Sequence, residues 1–131
     1  MNELMITNNP AVYKKFTGCI EVVYLENDDL LGVLSYTRDK IHLGHRLLTH
    51  PLSGSVKPGQ TLYKSVLITK EKGMLDLGSL KIIEESCEIA CEQIKPGKSR
   101  RIHDEYLEDF QDIDLALIAS GTMNVLSEVR I

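Results

Sequence analysis

Between His50 and Lys64 the chain collects an imidazole, the sequence Ser53-Gly54-Ser55, and the ammonium groups of Lys57 and Lys64. These are the parts of an anion site. Gly54 can adopt backbone angles that turn consecutive N–H groups toward one point, the two serine hydroxyls can donate, and a lysine can supply charge. A second polar turn, Asn8-Asn9-Pro10, opens a helix, and a helix N-terminus adds partial positive charge. The candidate ligand-binding residues are therefore Asn8, Asn9, His50, Ser53, Gly54, Ser55, Lys57 and Lys64, with a small phosphate or carboxylate as the ligand class. The pattern is neither GxxxxGK[ST] nor GxGxxG, and Pro, Gly and Ser also make ordinary turns. The length of the segment favours function, since long structureless loops in small domains are uncommon otherwise.

Other chemistry finds less support. His42, His45 and His50 are close in sequence, but the third lies about 16 Å beyond the second if an extended strand separates them, so one ion could not collect all three. No metal and no cofactor are predicted. Cys87 and Cys91 are one helical turn apart on an apolar stripe and read as buried structural thiols. Ser53 or Ser55 with His50 as base can be drawn as a nucleophilic pair, but no nucleophile-elbow pattern surrounds them.

The elements that must position these residues follow from periodicity. Leu4 to Thr7 is a short apolar strand. Asn9 caps and Pro10 begins a brief helix, which Gly18 closes before a β-branched strand at Ile20–Leu25. Asp28 to His42 has helical spacing and stops at Gly44. Arg46–Thr49 reads as a third strand, the stretch from Pro51 to Gln60 as loop, and Ser65–Thr69 as a fourth strand. Leu80, Ile83, Cys87, Ala90, Cys91 and Ile94 recur at helical spacing, and Lys95-Pro96-Gly97 stops that helix. A final helical region runs from about Ile102 to Val129, apolar nearly all round from Leu115 to Ala119. It is expected to break near Gly121 or to pair with a second copy of the chain.

Strands alternating with helices imply an α/β three-layer sandwich. The expected sheet is small, mainly parallel and four-stranded, in the order 2-1-3-4, with a helical C-terminal third. Residues 1–131 are expected to form a single domain, with 100–131 as its helical extension. In such a sheet ligands bind beyond the carboxyl ends of the strands, which places the Asn8-Asn9 and His50 loops across one cleft.

Composition sets the outer bounds. The 131 residues are 43% hydrophobic and 26% charged with no tryptophan, so the core must be aliphatic. The net charge of −4 is unevenly spread. Residues 1–70 carry 8 basic and 6 acidic side chains, and residues 71–131 carry 7 and 13. That balance argues against nucleic acid or an anionic membrane as partner, and Lys98-Ser99-Arg100-Arg101 reads as an exposed inter-helix turn. No stretch has the form of a signal peptide or a membrane span, and three cysteines without framework spacing fit a reducing compartment. A cytoplasmic location is expected.

Ile6-Thr7-Asn8-Asn9-Pro10, the run from Gly44 through His50-Pro51-Leu52-Ser53-Gly54-Ser55 to Pro58, and Tyr63-Lys64-Ser65 resemble the GrdX family. Those proteins are encoded beside the glycine, sarcosine and betaine reductases of anaerobes that ferment amino acids. The resemblance implies an accessory role near those reductases, with their components as partners, and transfers no catalytic residues. The leading expectation is a binding protein rather than an enzyme, holding a small anion or a partner segment. The alternatives are a small enzyme acting on a phosphate or carboxylate compound, with His50 as acid/base, and an interaction module using the acidic C-terminal helices.

Overall fold

The structure is a computed structural model that describes residues 2–52, 62–93 and 106–129, without the side chains of 127–129. In chain order the elements are β1 (Glu3–Thr7), α1 (Pro10–Phe16), β2 (Glu21–Tyr24), α2 (Leu30–His42), β3 (Ser65–Thr69), α3 (Leu77–Gln93) and α4 (Leu107–Val129). The strands form one sheet in the order β2-β1-β3, with β1 parallel to β2 and antiparallel to β3.

β1 is the axis of the molecule. All five of its residues are buried, which is possible only because helices cover both faces of the sheet. Alternation sends Leu4 and Ile6 to one face, where Val66 and Ile68 of β3 join Val33, Leu34 and Ile41 of α2 and Ile83 and Ala90 of α3. Met5 and Leu67 point the other way and meet Val12 of α1, Ile20 and Ile118 of α4. The layers are thus α2/α3, sheet, α1/α4. Polar side chains inside the first layer are satisfied locally, with Thr37 donating to the Val33 carbonyl and Ser86 to that of Ile82.

Two helix starts follow the sequence rules. Asn9 accepts from the Ala11 N–H with Pro10 at the first helical position, and Asp29 accepts from the Gly32 N–H at 2.8 Å. The helix α4 is continuous through Gly121, so of the two alternatives expected there, a break or pairing with a second copy, the break does not occur. The glycine is there for close packing: a Cβ at that position would lie 3.2 Å from Thr49 Cγ2. The roughly 34 Å helix does not overhang as a free extension but lies along β3 and α1.

The sheet differs from expectation in strand number and direction, having three strands rather than four and a mixed rather than mainly parallel pattern. Arg46–Thr49 is not a strand. It runs beside the outer edge of β3 and makes a single antiparallel bridge, Leu47 with Ile68. Side chains and a shared acceptor break the ladder there. The Leu48 and Thr49 N–H groups both point at the Leu67 carbonyl, the Thr49 hydroxyl accepts from the Leu67 N–H, and the Leu47 N–H goes to Ser79 Oγ. β3 runs antiparallel to both this segment and β1, and it takes the place beside β1 that the segment was expected to fill.

A close backbone crossing fixes where that edge segment begins. Gly44 has φ +109°, and a Cβ on it would stand 2.2 Å from the Gly73 carbonyl oxygen, while the Gly73 N–H donates to the Gly44 carbonyl at 2.9 Å. Gly44→Ala is therefore expected to lower unfolding free energy by at least about 2 kcal/mol, the backbone strain alone being of that order. Urea denaturation of the two proteins measures it.

Candidate functional site

The carboxyl end of β1 meets the start of β3, because Thr7 pairs with Ser65 in the register. This junction gathers three of the candidate residues. Asn8 bridges inward and outward: its side-chain amide donates to the carbonyls of Asp28 and Leu62 at 3.0 and 2.8 Å, and its Oδ1 accepts from the Lys64 N–H at 2.9 Å. Asn9 caps α1 through Oδ1 and donates through Nδ2 to the Gln111 carbonyl and to Asp114 Oδ2, at 2.9 and 3.0 Å. Lys64 is buried immediately beside them.

A one-way chain of hydrogen bonds runs through this junction. The Asn9 N–H donates to Thr7 Oγ1, and the Ser65 hydroxyl donates to Asp114 Oδ2 at 2.7 Å. Since the serine proton is engaged with the carboxylate, the 2.6 Å contact between the two hydroxyls has Thr7 as donor to Ser65. Successive donors polarise one another, and the chain ends on a charged acceptor, the arrangement in which such bonds are strongest. Gln111 adds an outer link, its amide donating to Tyr63 Oη at 2.9 Å.

Lys64 is the electrostatically distinctive member. It is 8% exposed, and burial pushes its ammonium below the usual lysine pKa, with the Asp114 carboxylate offsetting part of that. Among the described residues its ammonium makes no hydrogen bond or ion pair. The side chain is a desolvated cation near one carboxylate whose Oδ2 already accepts from Ser65 and Asn9.

His50 lies at the same end of the sheet but one strand further out, since β3 stands between β1 and the 46–49 segment. It is exposed, and its Nδ1 accepts from the Leu52 N–H at 3.1 Å. Ser53, Gly54, Ser55 and Lys57 lie outside the described residues, as does the basic turn at Lys98–Arg101. The two other histidines among the described residues are engaged separately: His42 Nε2 contacts Glu84 at 2.9 Å, and the buried His45 donates from Nδ1 to the Thr69 carbonyl. Cys87 is half-buried and Cys91 exposed, so the second thiol is not the core residue its spacing implied.

Sequence reasoning missed Thr7, Ser65, Gln111 and Asp114. Asp114 carried a signal, as an acid between Ile113 and Leu115 in an otherwise apolar stretch of the last helix. A buried carboxylate there required donors from another element. A separate open concavity of about 560 Å³ lies at the opposite end of the sheet, lined by Arg46, Lys72, Glu71 and Asp76 among others. Its charges cancel in number, and Asp76 is held by Ser79 at the start of α3.

These features define a small three-layer α/β protein whose sheet end is closed by a buried polar junction with a desolvated lysine at its edge. The chain belongs to the GrdX-like protein family, which it matches over residues 4–123. No curated protein and no solved structure matched it. No described helix is long and apolar enough to cross a membrane.

Two substitutions separate the parts of the junction. Asn9→Ala removes the cap and the tether to α4 and is expected to cost about 1–3 kcal/mol of stability. Asn9→Ser keeps a capping oxygen and loses the amide donor, so chemical denaturation should place it between parent and alanine variant. Lys64 gives a pH signature. Its folded pKa is below its unfolded value, so the unfolded chain holds more protons in the window just below pH 10.5, and stability rises with pH there. Lys64→Met is expected to be at least as stable as the parent near neutral pH, with the parent gaining on it as pH approaches 10.5. Urea titrations of both proteins along the alkaline range read that convergence.

Proposed function

We propose that the chain is an accessory binding protein of the glycine reductase system, holding a small anion, a carboxylate or phosphate, where the Asn8-Asn9 turn meets the segment ending at Lys64. The observation that carries this reading is the state of Lys64, a residue only 8% exposed and largely desolvated, whose ammonium has no hydrogen-bond partner among the described residues. That ammonium is not one of the fully buried unpaired atoms, so an anion can reach it. A cation desolvated in this way gains most from an anion brought alongside it, because Coulomb attraction is strongest where water is excluded. The surrounding polar groups support the arrangement by being engaged already. Asn8 and Asn9 spend their amides on Leu62, Asp28, Gln111 and Asp114, so in this reading they fix the walls and Lys64 makes the contact.

Ser53, Gly54, Ser55 and Lys57 are included in the proposed site on the chemistry of their side chains and sequence alone, with His50 one strand further out at the same end of the sheet. The link to the reductases rests on the family and its name. Binding rather than turnover is the favoured activity because the hydroxyl of Ser65 donates to Asp114 and accepts from Thr7, with no described imidazole beside it to act as base.

A thermal-shift series with inorganic phosphate, acetate and glycine tests the proposal. A ligand well above its Kd should raise the melting temperature of the parent by several degrees. Lys64→Met should lose that rise while keeping a parent-like unfolding transition, and Ser55→Ala and Lys57→Ala should reduce it. If none of the three compounds shifts the parent, the proposal fails.

A further inference from the structure

The helix α4 buries one face and leaves the opposite one open. Asp114, Ile118 and Thr122 are buried, four residues apart, and Leu115 and Val125 pack beside them. Half a turn away, Ile113, Ala116, Ser120 and Met123 are all exposed, with Ile113 at 43% and Met123 at 64%. Leu117 borders this ridge, also exposed. The middle of this face, from Ile113 to Met123, carries no charge, while Asp109 and Asp112 stand at its N-terminal end and Asn124 beside Met123.

The order of side-chain sizes along the ridge is a near-palindrome about Ile118: Ile113 mirrors Met123, and Ala116 mirrors Ser120. At 100° per residue these pairs also lie symmetrically about the outward direction of the helix. A two-fold contact requires this, because each residue i must meet j on the partner while j meets i. Turned antiparallel, a second α4 would set each large side chain beside the other's large one. The small residues at the centre let the two backbones approach.

The charges have a direction as well. The exposed acids Glu108, Asp109 and Asp112 stand at the N-terminal end of α4, and residues 107–126 contain no lysine or arginine. A parallel pair would place acid against acid. An antiparallel pair sends the two acidic ends apart and sets Asp112 opposite Asn124, which is exposed and can donate a hydrogen bond.

We infer that this face of α4 is the interface of a homodimer, two copies of the chain packing antiparallel about a two-fold axis near Ile118. The inference is independent of the ligand proposal, because the ridge points away from the sheet and from Lys64.

Sedimentation velocity on the full chain from micromolar to submillimolar concentration tests it. The parent should sediment as a species of twice the chain mass at the upper end. Ala116→Glu, introducing like charge at the centre, should sediment as monomer at all of these concentrations with an unchanged far-UV circular dichroism spectrum. Asn124→Lys and Asn124→Asp give opposite, register-specific results on an exposed position that does not burden folding. The lysine should tighten the dimer by roughly two- to tenfold by pairing with Asp112 of the second copy, and the aspartate should weaken it comparably. A parent that remains monomeric throughout overturns the inference. So does a dimer that Ala116→Glu leaves intact, or one that is indifferent to both Asn124 variants.

Discussion

Thr7 ends a strand that has no solvent edge and no solvent face. Its backbone is paired with Tyr24 on one side and Ser65 on the other, helices lie above and below, and the residue has zero exposure. A hydroxyl in that position cannot turn to water, and leaving it unpaired would cost about 1–3 kcal/mol. Thr7 therefore needs a protein acceptor for its proton, and the nearest register partner supplies it as Ser65. That serine then needs an acceptor of its own. The demand is passed outward until it reaches a group that only accepts, the Asp114 carboxylate on α4. One buried hydroxyl thereby determines which helix closes the sheet at this end and where along its length it docks.

The same constraint accounts for the two asparagines. Asp114 can be held within the protein only if further donors face it, and Asn9 is placed to donate because its Oδ1 is already committed to capping α1. A serine or threonine at this position could cap but has no second donor arm. Asn8 works on the other layer, joining the α2 cap region at Asp28 to the segment returning into β3 at Leu62 and Lys64. Two adjacent residues with the same side chain thus lock two different crossings, and Lys64 is buried as a consequence of the second.

What the sequence disclosed follows the range of the forces involved. Helices α1, α2 and α3 were readable from caps, stops and apolar spacing, because those signals act within a turn or two. Asn8, Asn9 and Lys64 were readable as neighbours at one end of the sheet, since two loops at one end converge whatever the strand order between them. The segment Arg46–Thr49 was not. Its residues have strand composition, but whether they ladder depends on where Thr49 Oγ1 and Ser79 Oγ sit, which is long-range information. Direction was lost with it, since β3 pairs antiparallel to β1, which the alternation of strand and helix patterns does not predict. The acid in the last helix was visible, and its partners were 49 and 105 residues away.

The two faces of α4 draw on one economy of sequence. A helix laid on a small sheet needs about a third of its circumference to be apolar, and its inward positions here include the polar residues Asp114 and Thr122. Of these, Asp114 is the hydrogen-bonded anchor, and Thr122 is buried with its hydroxyl unpaired among the described residues. The apolar contact to the sheet therefore falls on few residues, Leu115, Ile118 and Val125 among them. A helix docked mainly by a polar anchor at one end and a narrow apolar strip elsewhere is held in position but thinly covered. Its remaining hydrophobic residues, Ile113, Leu117 and Met123, lie on the outside. Anchoring by Asp114 fixes the rotation of the helix about its own axis, because Oδ2 must meet both Ser65 and Asn9. That rotation determines which residues face outward. The chain of bonds that begins at Thr7 thus selects the outer ridge as surely as it selects the inner contacts.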